Sequence, residues 1–182
     1  MAIALLLVTG AAAAGFLVSS WFGFVLASHG AHDPMVRALV TRHVLYSIPA
    51  VMLSLFSQSM VIFYFIGTGR LVKDEIEGFS EAKKLPVLRA LRRFKARTSP
   101  PATFSMLAAI FVFVVGGWVH TAPPASRAAA HWTHLGASIL AVALHLWALF
   151  AEYPVFVENN ALMADPAGYA ARREIGSAAR TP

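Results

Sequence analysis

Six of the seven histidines in this chain lie near the ends of long apolar segments, in or beside two short loops. They are His29, His32, His43, His120, His131 and His134. The seventh, His145, lies deep in the last apolar segment. A neutral imidazole binds haem iron, zinc and copper, and imidazole also carries protons near neutral pH. Histidines gathered at one end of a membrane bundle therefore predict a ligand site or a proton site.

Three interpretations of this group stay open. Haem b needs two neutral imidazoles from facing helices, and His43 with His131 or His134 is the best pair, with His120 beside them. Zinc or copper is the second candidate, because two histidines in a His-x-x-His pattern lie one helical turn apart. The metal ligands would come from His29, His32, His43, His131 and His134. In the third interpretation, the histidines only bond water and lipid headgroups at a membrane surface.

The composition is that of a membrane protein. Of 182 residues, 58% are hydrophobic and 13% are charged, whereas a soluble domain is about half apolar and about a quarter charged. Four apolar runs, at about 2–27, 43–67, 101–120 and 128–150, are each long enough to cross a hydrocarbon core of roughly 30 Å. We expect an all-α, antiparallel four-helix integral membrane bundle over residues 1–158, followed by a polar tail over 159–182.

The basic residues of the chain predict its orientation. Segment 68–100 carries nine of the 15 lysines and arginines, so the positive-inside rule places it in the cytoplasm. Both termini are then cytoplasmic, as in a multi-pass protein of a bacterial-type inner membrane. Leu85, Leu88, Leu91 and Phe94 recur among these charges and predict a basic amphipathic helix on the membrane surface, bound to anionic lipid. The net charge of +6 is therefore assigned to lipid rather than to nucleic acid.

Two polar stripes are expected to face each other inside the bundle. At 100° per residue, His43, Ser47, Ser54 and Gln58 share one face of the second helix, and His131, His134, Ser138 and His145 share one face of the fourth. In an up-down bundle these helices are diagonal neighbours. Gln58 and His145 should lie at one depth, either bonded to each other or binding a quinone headgroup. We find no internal repeat and no acidic residue within a span.

The motifs of several enzyme classes are absent from the sequence. With no cysteine, thiolate metal sites and covalently attached haem are excluded, and there is no P-loop, Gly-x-Ser-x-Gly or Gly-x-Gly-x-x-Gly. The layout resembles that of four-helix membrane cytochrome b subunits, without a shared motif. We expect a subunit of an electron-transfer or respiratory complex that associates with other membrane subunits. Whether it is an enzyme by itself stays open. The alternatives are a structural or assembly subunit and a copper- or zinc-handling protein.

Overall fold

Long apolar sequences form four of the five α-helices that the structure describes. The structure, a computed structural model, describes residues 2–27 and 34–178. The helices are α1 (Ala2–Ala27), α2 (Met35–Glu75), α3 (Glu81–Thr121), α4 (Arg127–Ala164) and α5 (Pro166–Ala178), with a short 3₁₀ turn at Pro124–Ser126. The first four are long and apolar enough to cross a membrane. The predicted all-α four-helix bundle is confirmed, and the chain is a multi-pass membrane protein.

The four long helices run alternately up and down around one core. Helix α1 packs mainly on α2 and α3 mainly on α4, while α2 contacts α3 and α1 contacts α4. Helices α2 and α4 are therefore diagonal across the core, as predicted. One end of the bundle, here called the histidine end, carries His43, His120, His131 and His134. The opposite end, here called the basic end, carries the arginines and lysines of the first half of α3.

The outer surface of the bundle is apolar, as a lipid-facing surface must be. Large side chains such as Phe63, Trp132 and Phe150 are between 64 and 73% exposed. A soluble protein rarely exposes a contiguous apolar surface of this kind. The bundle is therefore embedded in lipid.

The surface helix predicted between the second and third spans is not a separate element. Helix α2 continues to Glu75, and α3 begins at Glu81 and passes through Pro86, Pro100 and Pro101 without ending. A proline removes one backbone donor, but neighbouring helices support a membrane helix that contains it. Residue 101, where the third predicted span begins, therefore lies inside α3.

Most of the apolar side chains of this basic segment face the bundle interior rather than the lipid surface. Leu91 and Phe94 are 5% and 1% exposed and belong to a core cluster with Val72, Ile76 and Leu162. Leu85, by contrast, is 46% exposed. The amphipathic pattern was correctly recognised, but its apolar face packs on α2 and α4. Both of those helices extend further than the predicted spans.

The predicted tail also starts too early. Helix α4 continues to Ala164, and its Asn159 and Leu162 side chains are fully buried. Helix α5 then packs on α3 and α4. Arg93 forms an ion pair with Glu158 and donates a hydrogen bond to the Tyr169 hydroxyl at 3.2 Å. The first part of α5 therefore belongs to the folded bundle, because Tyr169 and Ala170 are buried.

Candidate functional site

Two half-buried imidazoles meet across the bundle at the histidine end. The rings of His43 on α2 and His134 on α4 have centroids 5.9 Å apart and lie nearly perpendicular, at 84°. These are diagonal helices, so the two side chains reach toward each other across the core. The predicted pairing of His43 with a histidine of the fourth helix is therefore present in the structure.

The first imidazole, that of His43, is held by helix α1. A Cβ atom added at Gly23 would lie 3.1 Å from Cε1 of His43, so the ring occupies the space left by a missing side chain. Nδ1 of His43 lies 2.9 Å from the Ser19 carbonyl oxygen, which can only accept. Nδ1 therefore carries the proton, and Nε2 keeps a lone pair. This arrangement orients metal-binding histidines in other proteins.

The second imidazole, that of His134, is held in the same way by helix α3. A Cβ atom added at Gly116 would lie 3.1 Å from Cε1 of His134. The Val112 carbonyl is a polar neighbour of the ring. Nδ1 of His134 nevertheless makes no hydrogen bond that satisfies both the distance and the angle of a good bond. The contact therefore orients the ring less strictly than the Ser19 carbonyl orients His43.

The two helical hairpins, α1–α2 and α3–α4, build these positions with equivalent residues. In each, the contacting carbonyl lies four residues before the glycine: Ser19 with Gly23, and Val112 with Gly116. A serine one turn after each histidine bonds back to its carbonyl: Ser47 to His43, and Ser138 to His134. The second helix of each hairpin also shares apolar residues at the same interval of 91, since six of nine residues are identical between 47–55 and 138–146, whereas α1 and α3 share little besides the glycine.

The remaining predicted histidines do not join this pair. His120 and His131 are exposed, near enough to His134 for their charges to interact with it. His29 and His32, predicted as metal ligands, lie outside the described residues. Within residues 2–27 and 34–178, no three histidine, aspartate or glutamate side chains come together as a metal-binding group. A zinc or copper site among the described histidines has no geometric support.

The deep histidine, His145, is fully buried and both of its nitrogens have partners. Nδ1 lies 2.8 Å from the Ala141 carbonyl oxygen, and Nε2 accepts a hydrogen bond from the Ser54 hydroxyl. The Phe16 ring packs against the imidazole with centroids 4.5 Å apart. Gln58, the predicted partner, is also fully buried but does not bond His145.

An acidic residue that sequence reasoning missed lies beside Gln58. Glu152 on α4 is fully buried, and the Gln58 amide is the polar neighbour of its carboxyl group. Neither side chain meets hydrogen-bond geometry. We predicted that the last span ends at residue 150, so Glu152 was assigned to water. A signal was available, because the polar residues of α4 recur every seven positions. They are His131, Ser138, His145, Glu152 and Asn159.

A bonded polar cluster follows toward the basic end. The Tyr64 hydroxyl donates to Oδ1 of Asn160 at 2.8 Å and accepts from Nδ2 of Asn159 at 3.1 Å. Nδ2 of Asn159 also lies 3.3 Å from the Thr68 hydroxyl oxygen. The interior of the bundle is therefore polar at several depths, from His43 to Thr68.

Comparison with known proteins assigns this chain to no family. No protein-family model, no curated protein and no solved structure matches the chain significantly.

Proposed function

We propose that this chain is an integral membrane subunit of an electron-transfer complex and binds haem b between His43 and His134. The observation that carries the proposal is the pair of imidazoles facing each other from α2 and α4, each set against a glycine of the preceding helix. Haem b in a membrane bundle is held by two such histidines and needs no covalent attachment. Bound there, it would supply one-electron redox chemistry.

The chemistry of the two rings fits axial ligation. Nδ1 of His43 donates to a backbone carbonyl, which leaves the Nε2 lone pair available for iron. The two rings, with centroids 5.9 Å apart, would be close enough to bind one metal centre between them.

The number of ligands favours haem over a non-haem metal. Haem iron takes two ligands from the protein, whereas protein-bound zinc and copper sites take three or four. The described histidines offer one close pair and no group of three. We do not extend the proposal to a quinone, because both nitrogens of His145 already have partners.

We further propose the orientation and the setting. The lysines and arginines of segment 68–100 gather at the basic end, which the positive-inside rule places in the cytoplasm of a bacterial-type cell. The haem site then faces the outer side of an inner membrane, with both termini cytoplasmic. One redox group cannot complete an electron-transfer route, so partner subunits would supply the next group, and anionic lipid would contact the basic end.

An optical spectrum of the detergent-purified protein, produced in cells that make haem, tests the proposal. We expect a Soret band that shifts on reduction with dithionite. The variants His43→Ala and His134→Ala should each lose it, because one axial ligand is removed. His120→Ala and His131→Ala are the matched controls, since both remove an exposed histidine from the same end, and both should keep the band.

Two results would contradict the haem proposal. A wild-type protein without a Soret band and without metal by elemental analysis would indicate a structural or assembly subunit. Copper or zinc in stoichiometric amount without a Soret band would indicate a metal-handling protein, with His29 and His32 as the first residues to substitute.

A further inference from the structure

Glu152 has no role in the haem site, yet its burial in a membrane bundle is energetically costly. It is the one acidic side chain that is fully buried among the residues the structure describes. An ionisable side chain inside a membrane bundle is expensive, and such residues mark the routes of ions or protons. At a position with only a structural role, an apolar side chain would avoid the free-energy cost of burying a carboxyl group. Its presence therefore calls for a ligand or a proton.

The buried polar atoms without a partner are concentrated around this carboxyl group. Eight such side-chain atoms occur in the described residues, and five belong to three residues near this depth: Thr9, Gln58 and Glu152. The depth of Thr9 follows from the way α1 packs on α2. Helix α1 meets α2 at Gly15 with Ala50 and at Gly23 with His43, so Thr9 lies at about the depth of residue 57.

These groups continue in both directions along the bundle. Toward the histidine end, His145 lies seven residues before Glu152, about 10 Å away along the helix, with Ser54 bonded to it. Toward the basic end, Asn159 lies seven residues after Glu152 and bonds Tyr64. Gln58 lies one helical turn beyond Ser54 and adjoins Glu152. Proton transfer over intervals of this length requires bridging water molecules between the polar groups.

The surroundings of Glu152 suit a proton better than a metal cation. Its polar neighbour is the Gln58 amide, and no described group of three potential ligands includes it. The titratable groups facing this layer are His145 on α4 and Tyr64 on α2. At the same depth, α1 offers Thr9, and α3 offers Thr98 and the exposed Arg97. A carboxylate without a cationic partner is neutralised most simply by binding one proton.

We propose that Glu152 is the proton-carrying residue of a proton-transfer path through the bundle, between the Ser54–His145 pair and the Tyr64–Asn159 cluster. The step is a simple exchange. A hydrated proton adds to the Glu152 carboxylate to give the neutral acid, and the acid later returns the proton to water on the other side. No electron moves and no other reactant is consumed.

Proton flux in reconstituted vesicles tests this inference. The purified chain is placed in phosphatidylcholine vesicles that contain the pH-sensitive dye pyranine, and a potassium gradient with valinomycin sets the membrane potential. We expect wild-type vesicles to change internal pH faster than protein-free vesicles. Glu152→Gln should lower the protein-dependent rate by at least about tenfold, because a positioned acid-base group speeds proton transfer by roughly 10²–10⁴.

The control is a second carboxylate-to-amide change. Glu81 has a side chain that is 89% exposed, so Glu81→Gln removes a charge without entering the bundle and should leave the rate unchanged. Glu152→Asp retains a carboxyl group and should retain part of the flux. Infrared difference spectra give a readout that does not depend on flux: a protonated carboxyl C=O band that moves in D₂O, is present in wild type and is missing in Glu152→Gln.

Three outcomes would overturn the inference. They are a wild-type rate equal to that of protein-free vesicles, an unchanged rate in Glu152→Gln, and a rate that disappears when choline replaces sodium, which would indicate a sodium site. The inference does not rest on haem. A protein with Glu152-dependent flux and no Soret band would support it and contradict the proposed function.

Discussion

The Ser54 hydroxyl group bonds Nε2 of His145, a residue 91 positions further along the chain. The same interval separates Thr68 from Asn159, which are also bonded, and Phe65 from Phe156, whose rings pack 5.1 Å apart. It also separates the paired histidines His43 and His134. Helices α2 and α4 are therefore parallel and keep one register along the whole core.

The bond between Ser54 and His145 should contribute measurably to stability. In Ser54→Ala, Nε2 of a fully buried imidazole loses its donor, which should lower the free energy of unfolding by about 1–3 kcal/mol. Denaturation of the detergent-solubilised protein, followed by circular dichroism, measures the change. Ser59→Ala is the control, because this partly buried hydroxyl contacts the Met106 sulfur, a weak acceptor, and should cost less than about 0.5 kcal/mol. Equal losses in the two variants would contradict the prediction.

The glycines that face the paired histidines should not tolerate a methyl group. In Gly116→Ala the new Cβ would lie 3.1 Å from Cε1 of His134, so the imidazole must move. Gly117 has no atom within 4 Å of an added Cβ, and Gly117→Ala should stabilise the helix by up to about 1 kcal/mol. On α1, Gly23→Ala and Gly10→Ala form the same pair of test and control. Thermal unfolding of all four variants checks this prediction: Gly23→Ala and Gly116→Ala should unfold at lower temperatures than Gly10→Ala and Gly117→Ala.

Those glycine variants also connect stability with the haem proposal. Displacement of either ring should weaken or shift the Soret band in Gly23→Ala and Gly116→Ala, while Gly10→Ala and Gly117→Ala keep the wild-type spectrum. If all four spectra were identical to wild type, the glycines would have no part in positioning the ligands.

Helix α5 should be held to the bundle by Arg93. In Arg93→Ala, Glu158 loses its ion pair and Tyr169 loses a donor, so the start of α5 should separate from α3 more often. Limited trypsin digestion, read by mass spectrometry, should then cut faster after Arg172. Arg92→Ala removes a neighbouring exposed arginine and should leave the cleavage rate unchanged. Equal rates in both variants would show that the Tyr169–Glu158 hydrogen bond and the apolar contacts hold the helix without Arg93.

The orientation in the membrane can be tested directly, because the chain has no cysteine. Single cysteines at Ser80, between α2 and α3, and at Ala125, between α3 and α4, are both exposed. In whole cells, a thiol reagent that cannot cross the inner membrane should label the Ala125→Cys variant and spare Ser80→Cys. Labelling of Ser80→Cys alone would reverse the proposed orientation.

The number of helices and the facing polar stripes could be predicted from the sequence, because lipid imposes both a length and a periodicity. The pairing along those stripes could not. We measured depth from His43 on one helix and from His131 on the other, which matched Gln58 with His145. In the structure His43 lies opposite His134, a difference of three residues or about 4.5 Å. That shift, nearly one turn, places Ser54 opposite His145 and brings Gln58 beside Glu152.

The helix ends were the other weak point of the sequence analysis. The apolar run that begins at residue 101 favoured a helix start there, and the charges after residue 67 favoured a segment outside the membrane. Contacts between distant segments decided otherwise, since Phe94 and Leu162 bury their side chains in the same cluster. The hydropathy of the sequence predicts which residues lie in lipid. A helix can continue beyond those residues for as long as its side chains pack against other helices. Glu152 was missed for this reason.

The two hairpins, α1–α2 and α3–α4, are equivalent in part, so the bundle has an approximate internal symmetry. If a hairpin paired with an identical copy of itself, identical residues would hold equivalent positions in the two halves. In this chain His43 and His134 hold such positions, and so do Ser47 and Ser138. Further along, the counterparts differ: Ser54 faces His145, and Val61 takes the position that corresponds to Glu152. Below the histidine end the polar residues therefore differ between the two halves, while several apolar residues stay identical. A symmetric pair of identical hairpins would carry two acids at that level or none, so the single acid, Glu152, distinguishes the two halves of the bundle.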